Sequence, residues 1–464
     1  MWLYSTGKSD KIFEIKYVKN LNIKTWFLNK GVVVFMKYFG TDGIRGIPNE
    51  KLTVELVTKL GSALKVLGNS EVVVATDTRL SKDMLSSAII AGALSAGLNV
   101  HFVGVIPTPA LIYYSYIHKY TGIMITASHN PYTDNGIKVL KNGYKLSEED
   151  ELAVENLIDN PINNDLEIGK YVVESNAKDE YLSFVKNHII KTNKKIVIDC
   201  ANGATFETAP EVFNNITNNL LVLSNNPDGY NINNKCGSTH LEALKDTVVK
   251  EKADLGFAFD GDGDRVLAVD SNGNTVDGDM LIYILARYLK KNNKLNYNKV
   301  VLSMMSNLGL IKSLNDYGID VVETNVGDKY IVRALFDNNL SVGGENSGHI
   351  IVPDVLHTGD GVLNAVLIMK VLAETNTNLT DYLNEVKMYA DKMVNIKVKD
   401  KSKVLNNKSL FNRIEEIKKE LNNDCKIIVR ASGTEDLIRV SVMAKNIVLV
   451  EKYSDELVNI INNI

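Results

Sequence analysis

Gly122-Ile123-Met124-Ile125-Thr126-Ala127-Ser128-His129-Asn130-Pro131 joins a short apolar run to a polar turn. The run Gly122–Ile125 predicts a buried strand. Asn130-Pro131 bends the chain away, because proline fixes its own φ and pushes the preceding residue out of the helical region. Ser128 is thereby set on a stiff loop at the C-terminal end of a strand, where open α/β sheets place their ligands. Lys138, within Asn135-Gly136-Ile137-Lys138, follows closely enough to return to the same place. A serine hydroxyl is a poor nucleophile unless a neighbour takes its proton or stabilises developing charge. Alone, the loop is equally a simple polar turn, so the rest of the chain decides.

Outward from this loop, the pattern is α/β. Glu71–Ala75 reads as a strand, Lys82–Ala96 as a helix with Ser81 as N-cap, and Asn99–Val105 as a strand stopped by Pro107 and Pro109. Residues 156–174 are polar and irregular and mark a first boundary. Two further units of alternating strands and helices follow, one centred on the strands Lys195–Asp199 and Asp254–Phe259, the other on Val300–Met304 and Asp320–Glu323. The last strand of the third unit is expected at Ser341–Val342. From about Met388 the order changes to strand, helix, two strands and helix. The fold class is therefore α/β: three similar mixed α/β domains in tandem (36–174, 175–275 and 276–387), plus a smaller C-terminal α+β domain (388–464), around a central active-site cleft.

Residues 1–35 lack helical or strand period and any signal-peptide core. They are expected to be a translated leader or a disordered extension. Lys30-Gly31-Val32 can be encoded by a purine-rich stretch resembling a ribosome-binding site ahead of Met36. The 464 residues carry 52 Lys and Arg against 56 Asp and Glu, a net charge of −4 that gives no reason to expect a nucleic-acid or membrane partner. No apolar run is long enough to cross a bilayer. The 3 cysteines are scattered, which suits a reducing cytoplasm and argues against a disulfide framework or zinc.

Asp260-Gly261-Asp262-Gly263-Asp264-Arg265 is the most specific stretch. Three carboxylates at alternate positions, between apolar strands, crowd charge that only a cation offsets. All-oxygen ligation favours Mg²⁺ over Zn²⁺. A calcium EF-hand is excluded, because it needs Gly at Arg265, Glu at Ser271 and flanking helices. Gly40–Gly46 is a glycine-rich turn carrying Arg45. Gly343-Gly344-Glu345-Asn346-Ser347-Gly348-His349 offers a carboxylate, an amide and a hydroxyl suited to a polyhydroxylated ligand. Arg430-Ala431-Ser432-Gly433-Thr434, with Arg439, combines hydroxyls, a flexible backbone and two guanidinium groups, which suits a phosphate. Each of these three has a bland counterpart in a surface turn or a salt bridge. Their order, one loop per domain, is what carries the argument.

In that order the chain resembles the α-D-phosphohexomutase family from Met36 onward. Asn231-Ile232-Asn233 with Cys236-Gly237-Ser238-Thr239-His240, and Thr358-Gly359-Asp360-Gly361, are similar to its glucosamine branch. The resemblance implies an intramolecular phosphotransferase that interconverts glucosamine 6-phosphate and glucosamine 1-phosphate. It also implies a phosphoserine enzyme, a glucosamine 1,6-bisphosphate intermediate, activating phosphorylation of Ser128, a homodimer, and a product that feeds UDP-N-acetylglucosamine and cell-wall synthesis.

By the same resemblance Ser128 is the phosphorylated residue and a metal ligand with Asp260, Asp262 and Asp264. Arg265 lies beside the metal loop. Lys138, Arg45 and His129 are catalytic, with Arg45 expected to lower the pKa of Lys138. Glu345, Asn346 and Ser347 bind sugar, and Arg430, Ser432, Gly433, Thr434 and Arg439 bind phosphate. Asn346 stands where the family pattern has Gln, and Asp436 where it has Pro. A phosphoglucomutase or phosphomannomutase on the same scaffold, and an aspartate-nucleophile phosphatase suggested by Asp260-x-Asp262, remain alternatives. A non-catalytic sugar-phosphate sensor would be expected to lack one of these groups.

Overall fold

The computed structural model describes residues 26–28, 31–33, 36–161, 167–431 and 437–464. Its first three domains repeat one sheet topology. In the first, Glu71–Thr76 is central, Asn99–Val105 and Thr121–Ile125 flank it in parallel, and Asn135–Lys141 returns antiparallel to Thr121–Ile125. In the second, Ile196–Asp199 is flanked in parallel by Leu220–Leu223 and Leu255–Phe259, and Val266–Asp270 returns antiparallel. In the third, Lys299–Ser303 is flanked by Asp320–Thr324 and Gly343–Gly344, and Ile350–Ile351 returns antiparallel. The turn between the third strand and its antiparallel return therefore has the same topological place in all three. It carries Ser128, Asp260–Arg265 and Glu345–His349 respectively. The C-terminal domain is an antiparallel sheet with Leu437–Ala444 between Ala390–Lys397 and Cys425–Ala431. Helices Lys408–Glu420 and Ile447–Asn462 contribute to its core.

Several local expectations are corrected. Pro107 and Pro109 do not merely stop a strand: they open a helix, Thr108–His118, with proline in its first turn, where a missing N–H costs nothing. Ser81 precedes Lys82–Ser95 but makes no side-chain cap; its hydroxyl accepts from Asn135 Nδ2 at 2.8 Å. The polar stretch 156–174 is not uniformly irregular. Helix Glu148–Asp159 runs into it, and Tyr171–Val173 joins the first sheet parallel to Asn99–Val105. The third-domain strand lies at Gly343–Gly344, beyond Ser341–Val342. Trp26–Leu28 and Gly31–Val33 pair as antiparallel strands, and the rest of residues 1–35, for which a leader or disordered extension is expected, lies outside the described residues.

One apolar cluster runs continuously through the first three domains, joining Val73 and Met124 to Phe257 and Phe259 and then to Met280 and Leu302. The C-terminal domain keeps its own core, around Ile438, Val440, Val442 and Leu457.

Candidate active site

Ser128 is buried and holds a left-handed backbone, φ 52°. Its Oγ donates to Asp260 Oδ2 at 2.7 Å, so the serine loop of the first domain touches the aspartate loop of the second. His129 Nδ1 lies 3.3 Å from the same Oγ. Burial, then Arg265 and Arg45, push the His129 imidazole down to about 4, so it is neutral at pH 7.

Asp260, Asp262 and Asp264 bring one carboxylate oxygen each to within 4.8 Å of one another. Oδ1 of both Asp262 and Asp264 is buried without a hydrogen-bond partner. Buried, orphaned carboxylate oxygens are costly unless a cation fills the gap between them. The donor set is all oxygen, which fits Mg²⁺. Asp260 feels this crowding most: burial, then Asp264 and Asp262, raise its pKa well above the ordinary range.

Lys138 reaches the aspartates because Asn135–Lys141 returns beside the serine strand with Met124 opposite Lys138. Its Nζ lies 2.8 Å from Asp262, 3.2 Å from Asp42 and 3.4 Å from Asp264. Burial disfavours its charge, but Asp262, Asp42 and Asp264 outweigh burial and hold its pKa well above the ordinary lysine value. Arg45 acts in the expected direction and is overridden. It is tied instead to Asp42 at 2.6 Å. Its turn fits against the lysine strand only because residue 43 is glycine: φ is +80°, and a Cβ would meet the Ile137 carbonyl oxygen at 2.3 Å.

Glu345 is buried and its Oε1 accepts from the Gly327 N–H at 2.9 Å. Ser347 Oγ is buried without a partner, and Asn346 is exposed. The Glu345 charge acts on both Arg265 and Arg430, which places the sugar-type loop between the aspartate loop and the C-terminal domain. Arg430 and Arg439 are directly paired across adjacent strands. Burial and Arg439 lower the Arg430 pKa, the mark of a cationic pair well suited to an anion. Ser432, Gly433, Thr434 and Asp436 lie outside the described residues.

Four groups escaped the sequence reading. Asp42 joins Arg45, Lys138 and Lys145. Lys145 also pairs with Asp328 of the third domain. His349, within a quoted motif but given no role, lies 3.7 Å from Asp264, and this carboxylate raises its pKa against the effect of burial. Arg79 is fully buried, paired with Asp77 at 2.8 Å, and donates to the carbonyls of Ser128, Asn130, Pro131 and Asp134. Only the run Asp77-Thr78-Arg79 just after a strand hinted at it.

Family models described as phosphoglucomutase/phosphomannomutase α/β/α domains I, II and III and C-terminal domain match residues 36–165, 179–273, 277–389 and 393–460. A protein of Carboxydothermus hydrogenoformans named phosphoglucosamine mutase is 44% identical over 442 residues, covering 92% of this chain and 100% of its own. One of the same name from Bacillus subtilis is 42% identical over 443 residues, covering 92% and 98%. Among solved structures, a phosphoglucomutase/phosphomannomutase family protein of Burkholderia thailandensis matches with a TM-score of 0.76 at 23% identity, covering 90% of this chain and 95% of its own. The aspartate-phosphatase alternative gives no account of these four matched domains. The chain belongs to the phosphoglucomutase/phosphomannomutase family of phosphohexose mutases, as the order of its four loops implies.

Proposed function

We propose that the chain interconverts glucosamine 6-phosphate and glucosamine 1-phosphate through phospho-Ser128. The observation that carries this reading is the 2.7 Å contact between Ser128 Oγ and Asp260 Oδ2, which sets a nucleophilic oxygen against three clustered carboxylates. The glucosamine specificity is supported by relatives named phosphoglucosamine mutase that align over nearly the whole chain.

In the forward step the bond from Ser128 Oγ to phosphorus breaks and one from sugar O1 to phosphorus forms. The hydroxyl proton passes to a base, and the product is glucosamine 1,6-bisphosphate. The bisphosphate turns over in the cleft, and the phosphoryl group on O6 returns to Ser128. Mg²⁺ held by Asp260, Asp262 and Asp264 would neutralise the transferring phosphoryl group and relieve the carboxylate field that keeps Lys138 protonated. Lys138 is the proton carrier. Arg45, Arg265 and neutral His129 border the phosphoserine. Glu345, Asn346 and Ser347 take the sugar hydroxyls and ammonium, and Arg430, Ser432, Gly433, Thr434 and Arg439 hold the phosphate that does not react, which orients the reacting oxygen.

Activation by phosphorylation of Ser128, a cytoplasmic setting and a homodimer complete the proposal. The buried free cysteines suit a reducing compartment, and among the described residues no helix is long and apolar enough to cross a membrane. Turnover of glucosamine, glucose and mannose 6-phosphates, compared with Mg²⁺ and a trace of bisphosphate, tests the reading. Glucosamine 6-phosphate should give the highest kcat/KM. Preference for glucose or mannose would replace it with the corresponding mutase.

A further inference from the structure

The segment 228–240, which contains Asn231-Ile232-Asn233 and Cys236–His240, has no part in the chemistry above, yet it lies where the serine and aspartate loops meet. Asn233 is buried, with a left-handed φ of 56°, and its N–H donates to the Ala201 carbonyl at 2.9 Å. Its Nδ2 donates to the carbonyl oxygens of Ser128, at 2.9 Å, and Asn130, at 3.1 Å. Arg79 Nη2, from the first domain, donates to the same two oxygens at 2.8 and 2.9 Å. The two carbonyls of the serine loop are thus held by one donor from each domain.

The same segment grips the root of the aspartate loop. Ser238 N–H donates to the Phe259 carbonyl, the residue before Asp260, at 2.8 Å. A Cβ on Gly261 would meet the Ser128 carbonyl oxygen at 2.4 Å and Asn233 Nδ2 at 2.7 Å, so serine loop, asparagine and aspartate loop are packed without spare room. Farther out, the Leu80 N–H donates to the Gly229 carbonyl at 2.9 Å, a second tie from segment to first domain.

We propose that Asn233 is a positioning residue for phosphoryl transfer. Its carboxamide holds the Ser128 peptide in its left-handed conformation, so that Oγ is aimed at the aspartate cluster of the second domain. A residue with positive φ is strained unless its surroundings fix it, and a serine has no intrinsic preference for that region. The two carbonyls turned toward Arg79 and Asn233 provide the fixing. The inference deepens the proposed phosphoserine reading and rests on it for the reaction, but the geometry it concerns is independent of which sugar is used.

Two substitutions test it. Asn233→Gly removes the amide while tolerating positive φ, and Asn233→Asp keeps the shape but replaces the donor with an acceptor facing two carbonyls. Both should lower kcat, by about 10- to 100-fold for a displaced nucleophile, with KM for the sugar phosphate within about twofold of the wild type because Glu345 and Arg430 are untouched. A crystal structure of Asn233→Gly should show Ser128 out of its left-handed conformation and its hydrogen bond to Asp260 lost. Wild-type kcat in both variants, or a Ser128–Asp260 contact kept in the variant crystal, would overturn the proposal. A wild-type enzyme inactive on glucosamine phosphates would instead defeat the functional reading, and the variant crystal would still judge Asn233.

Discussion

Beside Ser128, His129 is electrically silent at neutral pH. Its pKa falls to about 4 because its ring is shielded and because Arg265 and Arg45 repel a second cation there. The ordinary value is about 6.5, so between these limits the unfolded chain binds the proton and the folded chain refuses it. Stability from this residue is therefore fully present above about pH 6.5 and is lost as pH falls towards about 4. His129→Gln should flatten that part of the stability curve, measured by denaturant unfolding from pH 7 to 4. Equal slopes in both proteins would mean that His129 is not held neutral. Lys138 is the opposite case, its proton secured by three carboxylates from two domains. The sequence named Lys138 and Arg45 and gave the direction of their interaction, but not the three carboxylates that override it. Asp42, three residues from Arg45, takes up the guanidinium and adds its own negative charge beside the lysine. Such a balance depends on distances, and spacing along a chain does not give them.

At the scale of elements, the recurring device is a parallel strand, a tight turn and an antiparallel return, used three times. Apolar runs made these strands legible in the first two domains, and the chemistry-bearing turns were legible as breaks between them. The third was placed one step early, because Gly343-Gly344 has no side chains to announce a strand and pairs through its backbone alone. Helix Thr108–His118 was missed because its prolines were read as stops and not as a helix start. That helix matters to the site: Thr108 at its first turn donates Oγ1 to Asp262 Oδ2 at 2.6 Å and its N–H to the Asp262 carbonyl at 2.9 Å. The turns are also tightly fitted, as at Gly261. Gly261→Ala puts a methyl group 2.4 Å from the Ser128 carbonyl oxygen and must push the loops apart. We expect kcat to fall by about 10- to 100-fold, with a stability loss of about 1–3 kcal/mol and little change in sugar-phosphate KM. Steady-state kinetics and thermal melting check both, and full activity in the variant would show that the loops have slack.

For the whole molecule, the division of the apolar core sets the mechanics. The first three domains share a cluster, and the fourth does not. The contacts that tie the fourth domain to the third include Lys312 with Asp424 and Lys426 with Glu323, and Asn307 holds the connecting residue Tyr389, its carboxamide bonding both the N–H and the carbonyl at 2.9 Å. Exposed ion pairs contribute only about 0–1 kcal/mol each and weaken with salt. Raising the salt concentration should therefore speed amide hydrogen exchange at the third–fourth domain boundary, in 387–390 and 424–428, more than in the shared core of the first three domains. A uniform effect would show that the fourth domain is anchored by something other than these contacts. The sequence marked this domain through its change in element order, but the separateness of its core is a packing property and could not be read there.

The central claim is that Ser128, and not an aspartate, carries the phosphoryl group between the two positions of one sugar. Phosphoserine survives acid, whereas an aspartyl phosphate hydrolyses readily, so the two can be told apart by chemistry alone. The protein is incubated with ³²P-labelled hexose 1,6-bisphosphate and Mg²⁺, quenched in acid, digested, and its labelled peptide sequenced. The account predicts acid-stable label on the peptide containing Ser128, released when unlabelled glucosamine 6-phosphate is added before the quench. Acid-labile label on the peptide containing Asp260 would contradict it.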